Sequence, residues 1–86
     1  MDTRRKRLLY RATHRGTKEA DIVVGGFVQL HITSLAEVEL DDLEIVLEIP
    51  DVDLMDWITG RKQMPDDMKR PLFKLLFDYH KATITI

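Results

Sequence analysis

Gly16 is the residue that most limits how this chain can fold. It sits inside His14-Arg15-Gly16-Thr17-Lys18-Glu19-Ala20-Asp21, between two stretches with opposite helix-end signals. Before it, Leu8, Leu9 and Ala12 form a narrow apolar stripe among basic residues, which predicts a helix over 3–14. Glycine is the usual residue just past a helix C-terminus, because it takes the left-handed conformation without a Cβ penalty. After it, Thr17 is an N-cap, and Glu19 and Asp21 fall in a first turn, where acids meet the positive end of the helix dipole. The chain is therefore expected to turn a tight corner that displays Arg15, bare backbone at Gly16, and Glu19 together. On spacing alone, Arg15 and Glu19 read first as an i,i+4 ion pair worth about 0.3–0.5 kcal/mol beside an ordinary helix break.

Proline and glycine punctuate the second half. Pro71 would cost about 3 kcal/mol inside a helix but is tolerated in a first turn, so the last helix is expected to begin near it. Leu72, Leu75, Leu76 and Tyr79 then make an i, i+3, i+4, i+7 face, with Phe73 and Phe77 as a second row. Residues 81–86 have β-like composition and read as a flexible tail. Pro50 ends an earlier helix. Asp51 or Asp53 would cap a short one carrying Leu54, Trp57 and Ile58 on one face, closed by Gly60. Trp57, the only tryptophan, reads as a core anchor. Residues 61–66 form a loop containing Pro65, with Asp66-Asp67 in a turn.

Two segments are open between helix and strand. Ile22-Val23-Val24-Gly25-Gly26-Phe27-Val28 sets β-branched residues around a glycine pair, which suits a hairpin; as a helix each glycine costs roughly 1 kcal/mol relative to alanine. Val38 to Ile49 alternates almost as two strands about Asp41-Asp42. Against that, Ser34 and Glu37 fit a capping box, Ala36, Leu40, Leu43 and Leu47 follow helical spacing, and Val46 breaks the alternation. The residues thus allow an all-α chain or an α+β chain with hairpins around Gly25-Gly26 and Asp41-Asp42.

Eighty-six residues make one domain that buries about 60–65% of its unfolded surface. There is no cysteine, hence no disulfide or thiolate chemistry. No apolar run approaches the roughly 20 residues that span a bilayer, and the N-terminus lacks the apolar core of a secretory signal. Charge is segregated: residues 1–19 carry +5, residues 20–60 carry −10 and residues 61–86 carry +3. Such blocks suit either a two-faced surface that steers a charged partner or basic helix ends folded against an acidic middle. Arg4-Arg5-Lys6-Arg7 could be read as a nucleic-acid patch, but the acidic middle would repel phosphate. His14, His31 and His80 are scattered, and nothing stands at metal-ligand spacing from them. Gly25-Gly26 lacks the further glycine of a nucleotide fingerprint, and no catalytic triad assembles economically. A binding module is favoured over an enzyme.

Three pieces fall in one order across nearly the whole chain. They are the lead-in Arg4-Arg5-Lys6-Arg7-Leu8-Leu9-Tyr10-Arg11, then Arg15-Gly16-x-x-Glu19 with Asp21 and an apolar run to Phe27, then Pro50-Asp51-x-Asp53-Leu54-x-Asp56-Trp57. Together they resemble the succinate dehydrogenase assembly factors, which promote covalent attachment of FAD to the flavoprotein subunit. That resemblance implies a compact five-helix bundle and so favours helix in both open segments. It implies no catalysis and no cofactor of its own, FAD being carried by the client. Such factors grip the subunit beside its FAD while a histidine of the subunit attacks the flavin, so their contribution is positioning.

Carried over, Arg15 would offer a forked donor to the client, Gly16 would permit close backbone approach, and Glu19 would accept from client donors or orient Arg15. Asp21 and His14 are further contacts. Thr13 stands where relatives often have an aromatic residue, and Ala20 and Gly26 replace bulkier ones, which alters the packing expected at the corner. The N-terminus is basic, as transit peptides are, but the resemblance starts almost at once and leaves little room for a presequence, so a bacterial cytoplasmic protein is expected, monomeric when free, with neither nucleic acid nor membrane insertion. Fumarate reductase is a second candidate client. The alternative is a non-catalytic interaction domain with an unrelated partner, in which Arg15 and Glu19 matter no more than other surface charges.

Overall fold

Five helices account for most of the chain in the computed structural model, which describes residues 1–84. α1 is Thr3–Thr13, α3 Glu37–Glu48, α4 Asp51–Ile58 and α5 Pro71–Ile84. α2 covers residues 18–31 in three continuous stretches: Lys18–Ala20, a π-helical turn Asp21–Gly25, and Gly26–His31. A 3₁₀ turn, Asp66–Met68, precedes α5. Among the described residues there is no strand, so neither hairpin forms and the fold is all-α.

Packing explains why helix prevails in both open segments. In α3 the buried apolar residues are Leu40, Leu43, Val46 and Leu47, a helical spacing, while Val38 is left 67% exposed. A strand would have buried Val38 on the same face as Leu40. In α2 the glycines lie where neighbours come close. A Cβ on Gly25 would stand 3.2 Å from the Ala12 carbonyl oxygen and 3.2 Å from the Thr13 Cγ2 on α1. A Cβ on Gly26 would overlap the Tyr79 hydroxyl of α5, so the room left by this glycine is filled from across the bundle. The π-helical turn ends here, with the Gly26 N–H shared between the Ile22 and Val23 carbonyls.

The helix ends match the local signals in part. Gly16 and Gly60 have φ of +106° and +79°, and the Thr17 Oγ1 accepts the Ala20 N–H at 3.3 Å. The expected Ser34–Glu37 capping box does not form. Ser34 instead donates its hydroxyl to the His31 carbonyl at 3.0 Å, serving the end of α2, and α3 starts later, with the Glu39 carboxylate accepting the Ala36 N–H at 2.7 Å. Neither Asp51 nor Asp53 caps α4. Pro50 holds that position, and Asp51 is the first helical residue, its carboxylate engaged elsewhere. Residues 81–84, expected in a tail, continue α5, because an established helix extends at little cost; Thr83 donates back to the Tyr79 carbonyl at 2.8 Å. The remainder of that expected tail, residues 85–86, lies outside the described residues. Leu75, expected in the core, is 40% exposed, and Phe73 is buried in its place.

α1 packs on α2 and α3, while α5 packs on α2, α3 and α4. Phe27, Leu40, Leu54, Phe73 and Leu76 form the centre of the core, and Trp57 meets Phe73 edge-on at 6.4 Å. Basic α1 lies along acidic α3. Arg4 reaches Glu37, Asp41 and Glu44 at 2.7, 2.6 and 3.0 Å, and Arg11 reaches Glu48 at 2.7 Å. Much of the charge segregation is therefore answered within the molecule. Arg5 serves a helix end instead, donating to the Ile32 and Leu35 carbonyls at 2.9 and 2.6 Å just past α2, where unpaired carbonyls attract a cation. No helix of the described residues is long and apolar enough to cross a membrane.

Asp2 caps α1 by accepting the Arg5 N–H at 2.8 Å and pairs with the Arg5 guanidinium at 2.5 Å. The backbone hydrogen bond is the main cause that lowers its carboxyl from the usual 3.8. The stabilisation from a lowered carboxyl is present above its unfolded value and is lost as pH falls through the folded value. Asp2→Asn keeps an acceptor but removes the charge. Its melting temperature is expected below wild type at neutral pH, with the gap closing as the pH drops past about 3.8; thermal melts across the acid range measure it.

Candidate functional site

The corner at Gly16 is held from inside by Arg15. Its side chain is only 7% exposed, and its Nε donates to the Asp51 Oδ1 at 2.5 Å, with Asp51 itself 18% exposed. Nη1 donates to the Leu47 carbonyl at 3.2 Å and Nη2 to the Ile49 carbonyl at 2.5 Å. These carbonyls belong to the end of α3, which an α-helix leaves without internal partners. One guanidinium thus joins the α1–α2 corner, the end of α3 and the start of α4. The forked geometry of arginine suits three acceptors spread over two elements in a way that lysine does not.

Asp21 completes the corner from the other side, its Oδ1 accepting the Arg15 N–H at 2.7 Å. The Thr17 hydroxyl caps α2 and donates to the second Asp51 oxygen at 3.3 Å. The backbone round Gly16 is therefore fixed at three points, and the positive φ there favours glycine. Gly16 and Glu19 are exposed, as is His14. The His14 ring stacks on Tyr10 at 4.0 Å, and its Nδ1 lies 2.8 Å from the Tyr10 carbonyl and 3.0 Å from the Thr13 hydroxyl. The i,i+4 pair between Arg15 and Glu19 does not form: Arg15 is taken by Asp51, and Glu19 has no ion pair among the described residues.

Asp51 stands between two shallow clefts. One, of about 440 Å³, is lined by Tyr10, Arg11, His14, Arg15 and the chain from Leu47 to Asp51. The other, of about 380 Å³, lies beside Glu19 and is floored by Val52 and Met55. Among the described residues no three His, Cys, Asp or Glu side chains come together as a metal site. The arrangement offers an exposed edge on a rigid support, a geometry for binding.

Residues 6–80 match the model of the family described as flavinator of succinate dehydrogenase. The chain belongs to this family. It is similar to the FAD assembly factor SdhE of Acetobacter pasteurianus, at 43% identity over 75 residues, covering 87% of this chain and 69% of the relative. It is also similar to the mitochondrial succinate dehydrogenase assembly factor 2 of Dictyostelium discoideum, at 36% identity over 84% of this chain and 51% of the relative. The protein of the same name from Arabidopsis thaliana is 36% identical over 84% of this chain and 39% of its own length. The chain thus spans about two thirds of the bacterial relative and about half or less of these mitochondrial ones. No solved structure matches it significantly.

In this flavinator-family chain the separate sequence pieces meet. The Arg15–Asp51 pair joins Arg15-Gly16-x-x-Glu19 to Pro50-Asp51, and Arg11 of the basic lead-in pairs with Glu48 one turn before that junction. His14, Arg15, Gly16, Glu19 and Asp21 all lie at the corner, but in two roles: Gly16, Glu19 and His14 are displayed, whereas Arg15 and Asp21 hold the shape. Asp51 is the residue that reading the sequence missed at this site. Its local signal is that of a helix cap, and its place beside Pro50 in the third piece is the one hint in the sequence that it belongs with the first. The Leu47 and Ile49 carbonyls carry no side-chain signal at all. Asp56 and Trp57 of the third piece take no part in the Arg15 network: Asp56 is buried against Arg61 and Lys62 at 3.1 and 3.6 Å, and Trp57 packs on Phe73.

Proposed function

We propose that this chain binds the flavoprotein subunit of succinate dehydrogenase and promotes covalent attachment of FAD to it. The observation that carries the reading is the corner: on a member of the flavinator family, Gly16 and Glu19 are exposed on backbone that Arg15, Asp21 and Asp51 make rigid. A rigid edge costs little ordering entropy when a partner docks, which is what positioning demands. Gly16, Glu19 and His14 touch the client; Arg15 and Asp21 act by holding them. The chain supplies no catalytic group, and FAD stays on the client. It works as a monomer in a bacterial cytoplasm, and the bacterial relative supports the bacterial part of that reading.

The test uses a bacterial strain lacking its own factor, with this chain and a succinate dehydrogenase flavoprotein subunit expressed together. Covalent flavin is read as in-gel fluorescence of the denatured subunit. Wild type is expected to restore the signal, and Glu19→Ala to lose most of it while melting like wild type. Absence of rescue with the cognate subunit would sink the reading, and a parallel fumarate reductase subunit shows whether that client is accepted too.

A further inference from the structure

The cleft beside Glu19 joins two features. Val52, 72% exposed, is the most exposed of the large apolar residues among those described, and it forms the floor with half-buried Met55. Glu19, on the same cleft, has no ion pair among the described residues. Every other charge lining it is engaged. Asp51 holds Arg15, and Asp56 holds Arg61 at 3.1 Å. The hydroxyls are satisfied as well: Thr59 donates to the Met55 carbonyl at 2.7 Å, and Thr17 serves Ala20 and Asp51. What is left for a ligand is one negative charge above an apolar floor.

We infer that this cleft seats one segment of the flavoprotein subunit in which a basic residue stands beside an apolar one. The basic group pairs with Glu19, and the apolar side chain covers Val52 and Met55. The inference rests on the function proposed above and deepens it. Two observations select this occupant. Charge complementarity is one, since the single unanswered charge is an acid and an acidic segment would be repelled. Continuity is the other: Asp51 and Thr17, which help hold the Gly16 corner, also line this cleft, so a partner resting on Gly16 reaches Val52 without a break. An apolar contact at the centre with a charge at its edge is the usual anatomy of a small docking site.

The experiment measures binding of the purified chain to the purified, flavin-free flavoprotein subunit of succinate dehydrogenase by calorimetry at low and raised salt. The variants are Val52→Lys, Val52→Ser, Glu19→Gln and, on α3, Val38→Lys, with melting curves to confirm that each is folded. Val52→Lys is expected to weaken binding about tenfold or more and Val52→Ser less, with Val38→Lys unchanged. Glu19→Gln is expected to weaken binding roughly threefold at low salt and to flatten the salt dependence. If wild type binds and both Val52 variants bind as tightly, the cleft is not the seat, although the proposed function stands. If Glu19→Gln keeps the wild-type salt dependence, no basic residue is seated there. If wild type itself does not bind the subunit, the proposed function fails and this inference with it.

Discussion

Asp51→Ala is expected to cost this domain about 3 kcal/mol of stability, far more than removing Glu19 from the same corner. Breaking a buried ion pair by deleting one partner typically costs about 3–5 kcal/mol, because the other charge is left desolvated and unpaired. Arg15 is 7% and Asp51 18% exposed, so the lower end of that range applies. The Leu47 and Ile49 carbonyls would keep their donor, but the guanidinium holding it would lose its counter-charge. For a domain of this size about 3 kcal/mol corresponds to a fall in melting temperature of roughly 12–24 °C. Glu19→Ala should stay within about 0.5 kcal/mol of wild type, since that exposed carboxylate makes no ion pair among the described residues and adds only its small first-turn contribution to α2.

Urea unfolding followed by Trp57 fluorescence reads both. Arg15→Ala should resemble Asp51→Ala, and the double variant should cost less than the two losses added, by about 1–3 kcal/mol, as residues that share one interaction do. A wild-type urea midpoint for Asp51→Ala would show that the pair contributes nothing. The consequence for function is direct. Lost flavinylation in Arg15→Ala would report a loosened corner as readily as a lost contact, whereas Glu19→Ala tests the contact on an intact fold.

The second large effect is expected at Gly25. Gly25→Leu should destabilise by about 2–3 kcal/mol even though leucine is the better helix former by about 1 kcal/mol. The obstruction is backbone: the Ala12 carbonyl oxygen at 3.2 Å and the Thr13 Cα at 3.3 Å from the new Cβ, neither of which can swing aside without moving α1. Gly26→Ala is the contrasting case. There the obstruction is the Tyr79 hydroxyl, the far end of a half-buried side chain, which can rotate away. Gly26→Ala should therefore lie between neutral and about 1 kcal/mol more stable. Denaturant midpoints of the two variants, measured side by side, decide the matter. A Gly25→Leu midpoint at or above wild type would mean that α1 is not packed against α2 as closely as these contacts require, and a loss at Gly26 would mean that Tyr79 does not move.

Features legible in the sequence were those set by one residue and its nearest neighbours. Gly16 and Gly60 end their helices because a positive φ is cheap only for glycine. Thr17 caps α2 through a hydrogen bond three residues on, and Pro71 opens α5 because a first turn needs no N–H from it. The motif pieces that mark the family are local in the same sense. The tertiary structure decided whatever depended on distant partners. Helix prevailed over hairpin in α2 and α3 because propensity is worth about 1 kcal/mol per residue or less, whereas burying side chains such as Phe27 or Leu43 is worth about 1.5–3 kcal/mol each.

The partner of Arg15 shows the division most plainly. Along the chain its neighbour of opposite charge is Glu19, four residues on, in water and worth a few tenths of a kcal/mol. In the folded molecule it takes Asp51, 36 residues away, and two carbonyls at the end of α3. A buried guanidinium needs several acceptors at once, and a helix end supplies them only after the helices have docked.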